Sequence, residues 1–302
     1  MTARPVPFAR PVPVTRALLR RMPLPALASD DDKEARGRVL VVGGSMLVPG
    51  AILLAGIAAL RAGAGKLQLA TVRGAAVNLG LAVPEALVVP LAQTRAGEIA
   101  GSRAADSLGP YAAAADAVLI GPGISGGRSV HGLLAAMVAR VGENATLVLD
   151  GAAVVGLRDD QKLLTTLRGR VVLTPHAGEM ASLLGLDRHE VEKAAPVIAQ
   201  QAARRFGATV VLKGAQSWIA QAHGGLFRFS GGSVGLGTSG SGDTLAGIIA
   251  GLAARGASPG TAAAWGVWAH GAAGRKLAQK MAKVGFLARE LLAEVPAFVG
   301  RK

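Results

Sequence analysis

Short β-branched runs alternate with longer alanine-rich stretches from Arg38 to the end of this chain. This pattern limits the possible folds more than any other sequence feature, because strands that alternate with helices pair into a mainly parallel sheet covered by helices on both faces. Such sheets bind ligands at the carboxyl ends of their strands. We therefore predict an α/β fold and expect the functional residues to lie just after the strands.

Six strands and five long helices are predicted from the pattern. The strands are Val39–Val42, Leu67–Val72, Ala117–Ile120, Leu147–Leu149, Val171–Leu173 and Val210–Leu212, and the helices are Ala51–Arg61, Ser129–Ala139, Glu190–Phe206, Leu245–Ala254 and Thr261–Met281. No sequence period of about 20 to 50 residues repeats. After the N-terminal segment no linker interrupts the pattern, so residues 29–302 are predicted to form one domain.

The composition fits a packed interior, since 51% of the 302 residues are hydrophobic and 42 are glycine. No apolar run is long enough to cross a bilayer, so we expect no membrane partner. The absence of cysteine excludes disulfides, thiolate metal sites and cysteine nucleophiles. It is compatible with a reducing compartment, and we expect a cytoplasmic location.

The net charge of +14 raises the question of an anionic partner. The 33 basic residues are scattered, and aromatic residues make up only 3% of the chain. A nucleic-acid platform needs clustered charge and stacking side chains, so we expect no nucleic-acid partner. An anionic substrate or an arginine-rich proteome explains the charge.

Residues 1–28 form a segment of different composition, in which five arginines alternate with six prolines and no acid precedes Asp30. The prolines exclude a continuous helix, and the apolar core of a secretory signal is missing. We predict an N-terminal extension that is flexible or clasps a neighbouring subunit, with its boundary at the acidic cluster 30–32. The sequence does not indicate its role.

The segment 237–247 runs from a glycine-rich turn directly into an apolar helix. Glycine at positions 237, 240 and 242 lets successive backbone N–H groups turn inward, and the positive end of the helix faces the same turn. This arrangement binds phosphate without a cationic side chain. Asp243 is then either the N-cap of the helix or a base aimed at a substrate hydroxyl, and the lack of a Walker lysine favours the base.

Other candidate residues follow the remaining strands. The glycine-rich turns Gly43-Gly44-Ser45, Pro49-Gly50-Ala51 and Gly121-Pro122-Gly123 either approach a ligand or simply reverse the chain. Asp150 ends the fourth strand, where a charge needs a cationic or hydrogen-bonding partner. This requirement slightly favours a functional role for Asp150.

Two further strand ends carry ionisable side chains. His176 and Glu179, three residues apart at the start of a predicted helix, form either a capping pair or two metal ligands, and two ligands alone are weak evidence for zinc. Lys213-Gly214-Ala215-Gln216-Ser217 suits a phosphate or nucleotide contact, although a solvated lysine is equally common. His270, in an alanine-rich helix, is interpreted as a packing residue.

These motifs, together with Gly63-Ala64-Gly65 and in this order over residues 36–295, resemble the ADP- or ATP-dependent NAD(P)H-hydrate dehydratases. The resemblance implies the ribokinase-like fold, a three-layer sandwich whose mainly parallel central sheet is flanked by helices. It also implies a metabolite-repair reaction on NADHX and NADPHX, in which the ring hydroxyl receives a phosphoryl group from ADP or ATP. Loss of phosphate then restores NAD(P)H, and ADP becomes AMP.

Site residues follow from the resemblance position by position. Asp243 is the expected general base, and the N–H groups of Gly240 to Gly242 hold the transferring phosphoryl group. Lys213, Gly214, Ala215, Gln216, Ser217, Gly240 and Gly242 are the expected nucleotide contacts, and Ala51, Gly123, His176 and Asp243 the expected contacts to the hydrated dinucleotide. Mg²⁺ is expected on the nucleotide, with Glu179 acting on it through water.

Two positions depart from the family pattern, which has proline in place of Ala177 and a second acid in place of Ala152. The resemblance further implies a homo-oligomer, a tetramer in this family, and a separate NAD(P)HX epimerase as functional partner. The choice between ADP and ATP, and between NADHX and NADPHX, is left open.

The main alternative function is a vitamin-precursor or sugar kinase of the same fold, which His176 disfavours. The other alternative is a nucleotide-binding module without turnover, which the presence of Asp243 disfavours.

Overall fold

The computed structural model describes residues 9–26, 32–126 and 128–300. Their strands are β1 (Val12–Pro13), β2 (Arg38–Val42), β3 (Lys66–Val72), β4 (Ala86–Leu91), β5 (Ala117–Ile120), β6 (Thr146–Leu149), β7 (Val171–Leu173), β8 (Thr209–Leu212), β9 (Ser217–Ala220) and β10 (Leu226–Phe229). They form one sheet in the order β1-β10-β9-β8-β7-β6-β5-β2-β3-β4. All pairs are parallel except the two made by β9, so the mainly parallel sheet is confirmed.

Helices cover both faces of the sheet. They are α1 (Arg16–Arg21), α2 (Gly50–Arg61), α3 (Arg73–Ala82), α4 (Ser102–Ala105), α5 (Gly109–Ala113), α6 (Arg128–Val138), α7 (Ala152–Val155), α8 (Ala177–Leu184), α9 (Arg188–Lys193), α10 (Ala195–Phe206), α11 (Ser241–Ala254), α12 (Pro259–Lys280), α13 (Ala288–Glu294) and α14 (Pro296–Val299). No helix among the described residues is both long and apolar enough to span a bilayer.

The central strands are buried on both faces. In β2, Val39 and Val41 pack in one core cluster and Leu40 and Val42 in the other, because successive side chains of a strand point to opposite faces. All four are fully buried. This explains why the strands read as continuous apolar runs rather than as an alternation of apolar and polar residues.

Two glycines set the position of α11 against α2. A Cβ atom at Gly247 would overlap the carbonyl oxygen of Ala55, and one at Gly251 would overlap that of Ala59. The two helices can therefore approach so closely only with glycine at these positions. This contact helps fix the N-terminus of α11 above the carboxyl edge of the sheet.

The predicted helix Glu190–Phe206 is wrong as a single element. The chain forms α9 and α10, with Ala194 between them at φ −114° and ψ 24°. Pro196 has no N–H to donate to the carbonyl group four residues earlier, so the ladder of hydrogen bonds breaks there. Strands β4, β9 and β10 and helix α3 are not predicted from the pattern.

The described part of the N-terminal segment packs on the body of the same chain, although its prolines predict a flexible or oligomer-clasping arm. Strand β1 pairs with β10, and Leu18 and Leu19 of α1 are buried. The indole Nε1 of Trp265 donates a hydrogen bond of 2.7 Å to the carbonyl oxygen of Met22. The division at residue 28 stays a prediction, and residues 1–8 and 27–31 lie outside the described part.

Candidate active site

The carboxyl ends of β6, β7 and β8 bring together side chains that are far apart in the sequence. Asp150 follows β6, His176 follows β7 and Lys213 follows β8. The N-terminus of α11 lies over the same edge, since a Cβ atom at Gly242 would be 3.3 Å from Lys213 Nζ. The sheet therefore brings together the ionisable residues that were expected to lie just after the strands.

Lys213 is a buried ion-pair partner rather than a solvated lysine. Its Nζ lies 2.7 Å from Asp150 Oδ1 and 3.9 Å from Glu179 Oε2, and its side chain is only 17% exposed. The hydroxyl group of Thr174 donates a second hydrogen bond of 2.6 Å to Asp150 Oδ1. Burial alone lowers the pKa of Lys213, but attraction by Asp150, Glu179 and Asp243 outweighs burial and raises it, so Lys213 is a cation.

Asp243 lies within the first turn of α11, and it is not the N-cap. That position belongs to Gly240, whose φ of 84° is in the left-handed region that glycine adopts freely. Burial raises the pKa of Asp243 to about 6, and the negative charges of Asp150 and Glu179 add to this effect while Lys213 opposes it. A carboxylate with a pKa just below neutrality is suited to general-base chemistry.

His176 and Glu179 form a reciprocal capping box at the start of α8, the first of the two alternatives in the sequence. His176 Nδ1 accepts hydrogen bonds from the N–H groups of Gly178 (3.0 Å) and Glu179 (3.2 Å). Glu179 Oε2 accepts from His176 N at 2.8 Å, and Glu179 Oε1 lies 3.2 Å from His176 Nε2. Because Nδ1 uses its lone pair as an acceptor, the neutral ring carries its proton on Nε2.

A cavity of about 730 Å³ opens beside these groups. The predicted nucleotide contacts Lys213, Gly214, Ala215, Ser217 and Gly242 line it, as does His176. Gln216 instead lines a neighbouring cavity of about 940 Å³ on the α9 and α10 side of the same segment. The segment 213–217 therefore lies between two cavities, whose linings share His176, Lys213, Gly214 and Ala215.

Ala51, at the start of α2, and Gly123, in the loop after β5, lie together and line neither cavity. A Cβ atom at Gly123, whose φ is 71°, would be 3.0 Å from Ala51 Cβ. Gly44 N donates a 2.7 Å hydrogen bond to the carbonyl oxygen of Pro122, which joins the two loops. Asp243 and Gly240 also line neither cavity, so the structure does not bring all the predicted contacts together around one cavity.

His270 has a polar partner, which the interpretation as a packing residue missed. Its Nε2 lies 3.0 Å from the hydroxyl oxygen of Ser241, and both residues line the 730 Å³ cavity. Burial lowers the pKa of His270 to about 4, so the ring is neutral. The two residues are 29 positions apart on different helices. A single polar ring in an alanine-rich helix was the only sequence signal.

Two carboxylates of this site already bond to neighbouring residues. Both oxygens of Glu179 bond to His176, and Asp150 Oδ1 bonds to Lys213 and Thr174. Within the described part of the chain, no group of three or more His, Cys, Asp or Glu side chains is arranged to hold a metal. Mg²⁺ commonly binds through substrate phosphates and water with only one or two carboxylates, and this donor set fits that mode.

Comparison with known proteins supports the family resemblance. The family model described as NAD(P)H-hydrate dehydratase matches residues 39–297. An ADP-dependent (S)-NAD(P)H-hydrate dehydratase of Xanthomonas campestris pv. campestris is 51% identical, over 95% of this chain and 96% of the relative. The bifunctional NAD(P)H-hydrate repair enzyme of Moorella thermoacetica is 40% identical over 91% of this chain, which spans about half (52%) of that relative.

Solved structures with the same architecture confirm the ribokinase-like fold. A ribokinase-like superfamily protein of Enterococcus faecalis has a TM-score of 0.80 at 30% identity, over 95% of this chain and 94% of its own. The ADP/ATP-dependent NAD(P)H-hydrate dehydratase of Bacillus subtilis, co-crystallised with ATP and Mg²⁺, has a TM-score of 0.76 at 28% identity over 98% of both chains. Fold, motif order and identity agree, and the chain belongs to the NAD(P)H-hydrate dehydratase family.

Proposed function

We propose that this protein dehydrates (6S)-NAD(P)H hydrate, NADHX or NADPHX, to NAD(P)H, with ADP as the phosphoryl donor. The observation that carries the proposal is the position of Asp243. Its carboxylate lies in the first turn of a helix whose N-terminus adjoins Lys213, and its pKa is raised to about 6. Because this chain belongs to the dehydratase family, this arrangement supports the role of Asp243 as a base beside a phosphate-binding site.

The chemistry explains why a dehydratase would use a kinase-like site. Hydroxide is a poor leaving group, whereas phosphate is a good one. The ring hydroxyl forms an O–P bond to the terminal phosphoryl group as the bond to AMP breaks, and the hydroxyl proton passes to Asp243. Cleavage of the ring C–O bond then releases phosphate, and loss of a ring proton restores the double bond.

The positive groups at this site would stabilise the transferring phosphoryl group. The backbone N–H groups of Gly240 to Gly242 start α11, where the helix dipole favours an anion. Lys213, held in place by Asp150, is a buried cation next to Gly242. Its charge would offset negative charge on the nucleotide phosphates, while Gly214, Ala215, Gln216 and Ser217 contact the rest of the nucleotide.

The hydrated dinucleotide would lie along the carboxyl edge of the sheet. Ala51, at the start of α2, and Gly123, in the loop after β5, would allow close approach of the nicotinamide half, because neither has a large side chain. His176 would contact the ligand through its imidazole ring, which is largely exposed while Nε2 lies 3.2 Å from Glu179 Oε1. Asp243 is the fourth expected contact of this ligand.

Mg²⁺ on the nucleotide would reduce the charge repulsion between the phosphates and the acids of the site. Glu179 would act on this ion through water, because its oxygens already bond to His176. The B. subtilis relative was co-crystallised with ATP and Mg²⁺, which supports this expectation. A homo-oligomer, a tetramer in this family, and a separate epimerase partner also stay predictions.

The proposal is tested by incubating enzymatically prepared NADHX with the protein, Mg²⁺ and either ADP or ATP. We expect the reduced-nicotinamide absorbance to recover, faster with ADP, since the Xanthomonas relative is ADP-dependent. Phosphate release should match NADH recovery mole for mole. If the protein instead phosphorylates vitamin precursors or sugars with ADP or ATP and leaves NADHX unchanged, the kinase alternative replaces this proposal.

A further inference from the structure

A buried hydrogen bond joins the first residue of α11 to the long helix α12. Ser241 is 4% exposed and His270 is 9% exposed, and the bond between Ser241 Oγ and His270 Nε2 is 3.0 Å long. Both side chains face the 730 Å³ cavity that Lys213 and Gly242 also line. The predicted site assigns no role to either side chain.

We propose that His270 is a positioning residue that holds the Ser241 hydroxyl group, so that Ser241 donates a hydrogen bond to a phosphate oxygen of the bound nucleotide. This inference rests on the proposed function, which places the nucleotide phosphates at the N-terminus of α11. It adds one oriented side-chain donor to the backbone N–H groups of Gly240 to Gly242.

In the proposed arrangement the His270 ring donates the hydrogen bond. Burial lowers the pKa of His270 to about 4, so the ring is neutral and has a single N–H. Placed on Nε2, that N–H donates to Ser241 Oγ. The serine proton is then free to point into the cavity.

Holding this hydroxyl group matters because of its location. A serine in the first turn of a helix readily turns its hydroxyl group to nearby backbone groups. The bond from His270 occupies one lone pair of Ser241 Oγ and disfavours that alternative. Helix α12 places His270 rigidly, since the flanking residues Ala269 and Gly271 are buried. The result is a preorganised donor, which costs little reorganisation when an anion binds.

A purely structural role for the pair makes a different prediction. If His270 only filled space and satisfied Ser241, its loss would weaken every ligand of the cavity together, or only lower the melting temperature. A donor to phosphate affects only ligands that carry phosphate. The comparison of ADP with adenosine separates these two roles.

The experiment measures ADP and adenosine binding by calorimetry, without NADHX, for the wild type, Ser241→Ala, His270→Leu and the double variant. We expect each single variant to bind ADP about 10-fold more weakly, the usual scale for a hydrogen bond to a charged group. Adenosine affinity should be unchanged. The double variant should bind ADP no more weakly than Ser241→Ala does, because both changes remove the same donor.

Two conservative variants serve as matched controls. His270→Gln places an amide N–H near the position of Nε2, and Ser241→Thr keeps the hydroxyl group, so both should bind ADP within about 3-fold of the wild type. They also serve as the test if His270→Leu fails to fold. Equal losses for ADP and adenosine, or additive effects in the double variant, would overturn the proposal.

The binding experiment and the test of the proposed function can fail independently of each other. If the wild type restores NADH but Ser241→Ala binds ADP normally, only the role of the pair is wrong. If NADHX is never dehydrated while the phosphate-specific loss in ADP binding is observed, the pair keeps its role and the dehydratase proposal fails.

Discussion

The carboxyl edge of the sheet has two regions that differ in how they would hold a ligand. The charged region consists of Asp150, Glu179, Lys213 and Asp243, whose side chains interact electrostatically. The backbone region consists of Gly121–Gly123 and the loop 43–50, which meet through main-chain atoms. The proposed function uses the charged region for proton and phosphoryl transfer, and the backbone region for close approach of the ligand.

The difference has an energetic basis. A buried lysine and buried acids must be paired with one another, because an unpaired charge in an apolar interior destabilises the folded state. Glycine turns need no partner, but they leave no room for a Cβ atom. Changes in the charged region should therefore alter stability and catalysis together, whereas changes in the backbone region should act through shape.

The largest effect is expected from Lys213→Met. The substitution leaves Asp150, which is 5% exposed, without its cationic partner. Breaking a buried ion pair in this way costs about 3–5 kcal/mol. We expect a loss of this size in the free energy of unfolding, measured by urea denaturation at pH 7. In the double variant Lys213→Met/Asp150→Asn the loss should be smaller, and an equal loss would show that the pair is not coupled.

Asp243→Asn should lower kcat by roughly 10²-fold or more, the scale for a positioned base, while ADP still binds. Steady-state kinetics and calorimetry check both parts. Wild-type activity should also fall below about pH 6 as Asp243 takes up a proton. Unchanged turnover in this variant would remove the base role.

The same variant should be more stable than the wild type at neutral pH. The pKa of Asp243 is raised from 3.8 to about 6 on folding, so the carboxyl group favours the folded state fully below pH 3.8, and that contribution is lost as pH rises through about 6. Asparagine stays neutral throughout. The melting temperature should therefore rise at pH 7 but not at pH 3.5.

In the backbone region, Gly123→Ala should raise the KM for the hydrated cofactor by about 10-fold, since a Cβ atom there conflicts with Val48 and Ala51. ADP affinity should stay unchanged, because the nucleotide contacts lie in the other region. Gly126→Ala is the matched control, with a similar positive φ of 79° but no neighbour closer than 3.8 Å. If both variants behave alike, backbone strain rather than close approach explains the effect.

The smallest effect is expected from Ala177→Pro, which restores the residue that is common in the family. Ala177 is the first residue of α8, where the backbone N–H has no partner within the helix. His176 before it is extended, at φ −87° and ψ 173°, as proline requires of its neighbour. We expect a gain of about 0.4–1 kcal/mol in the free energy of unfolding, without a change in kcat. A loss would mean that the His176 loop must move.

The sequence by itself determined the α/β class and the six central strands, because strands buried on both faces are continuous apolar runs. It also placed Asp150, His176 and Lys213 at strand ends, since parallel strands share one carboxyl edge. Strands β9 and β10 were not found, because these segments are less apolar than the central strands. The break at Ala194 was also missed, although Pro196 is a local signal for it.

The tertiary structure decided which of the open alternatives hold. Lys213 and Asp150 are 63 residues apart, and Ser241 and His270 are 29 apart, so no local pattern reveals that either pair is in contact. Burial turned a strand-end lysine into a buried ion-pair partner and raised the pKa of Asp243 to about 6. Residue type and spacing depend on the chain alone, whereas charge state and hydrogen-bond partner depend on what packing removes from water.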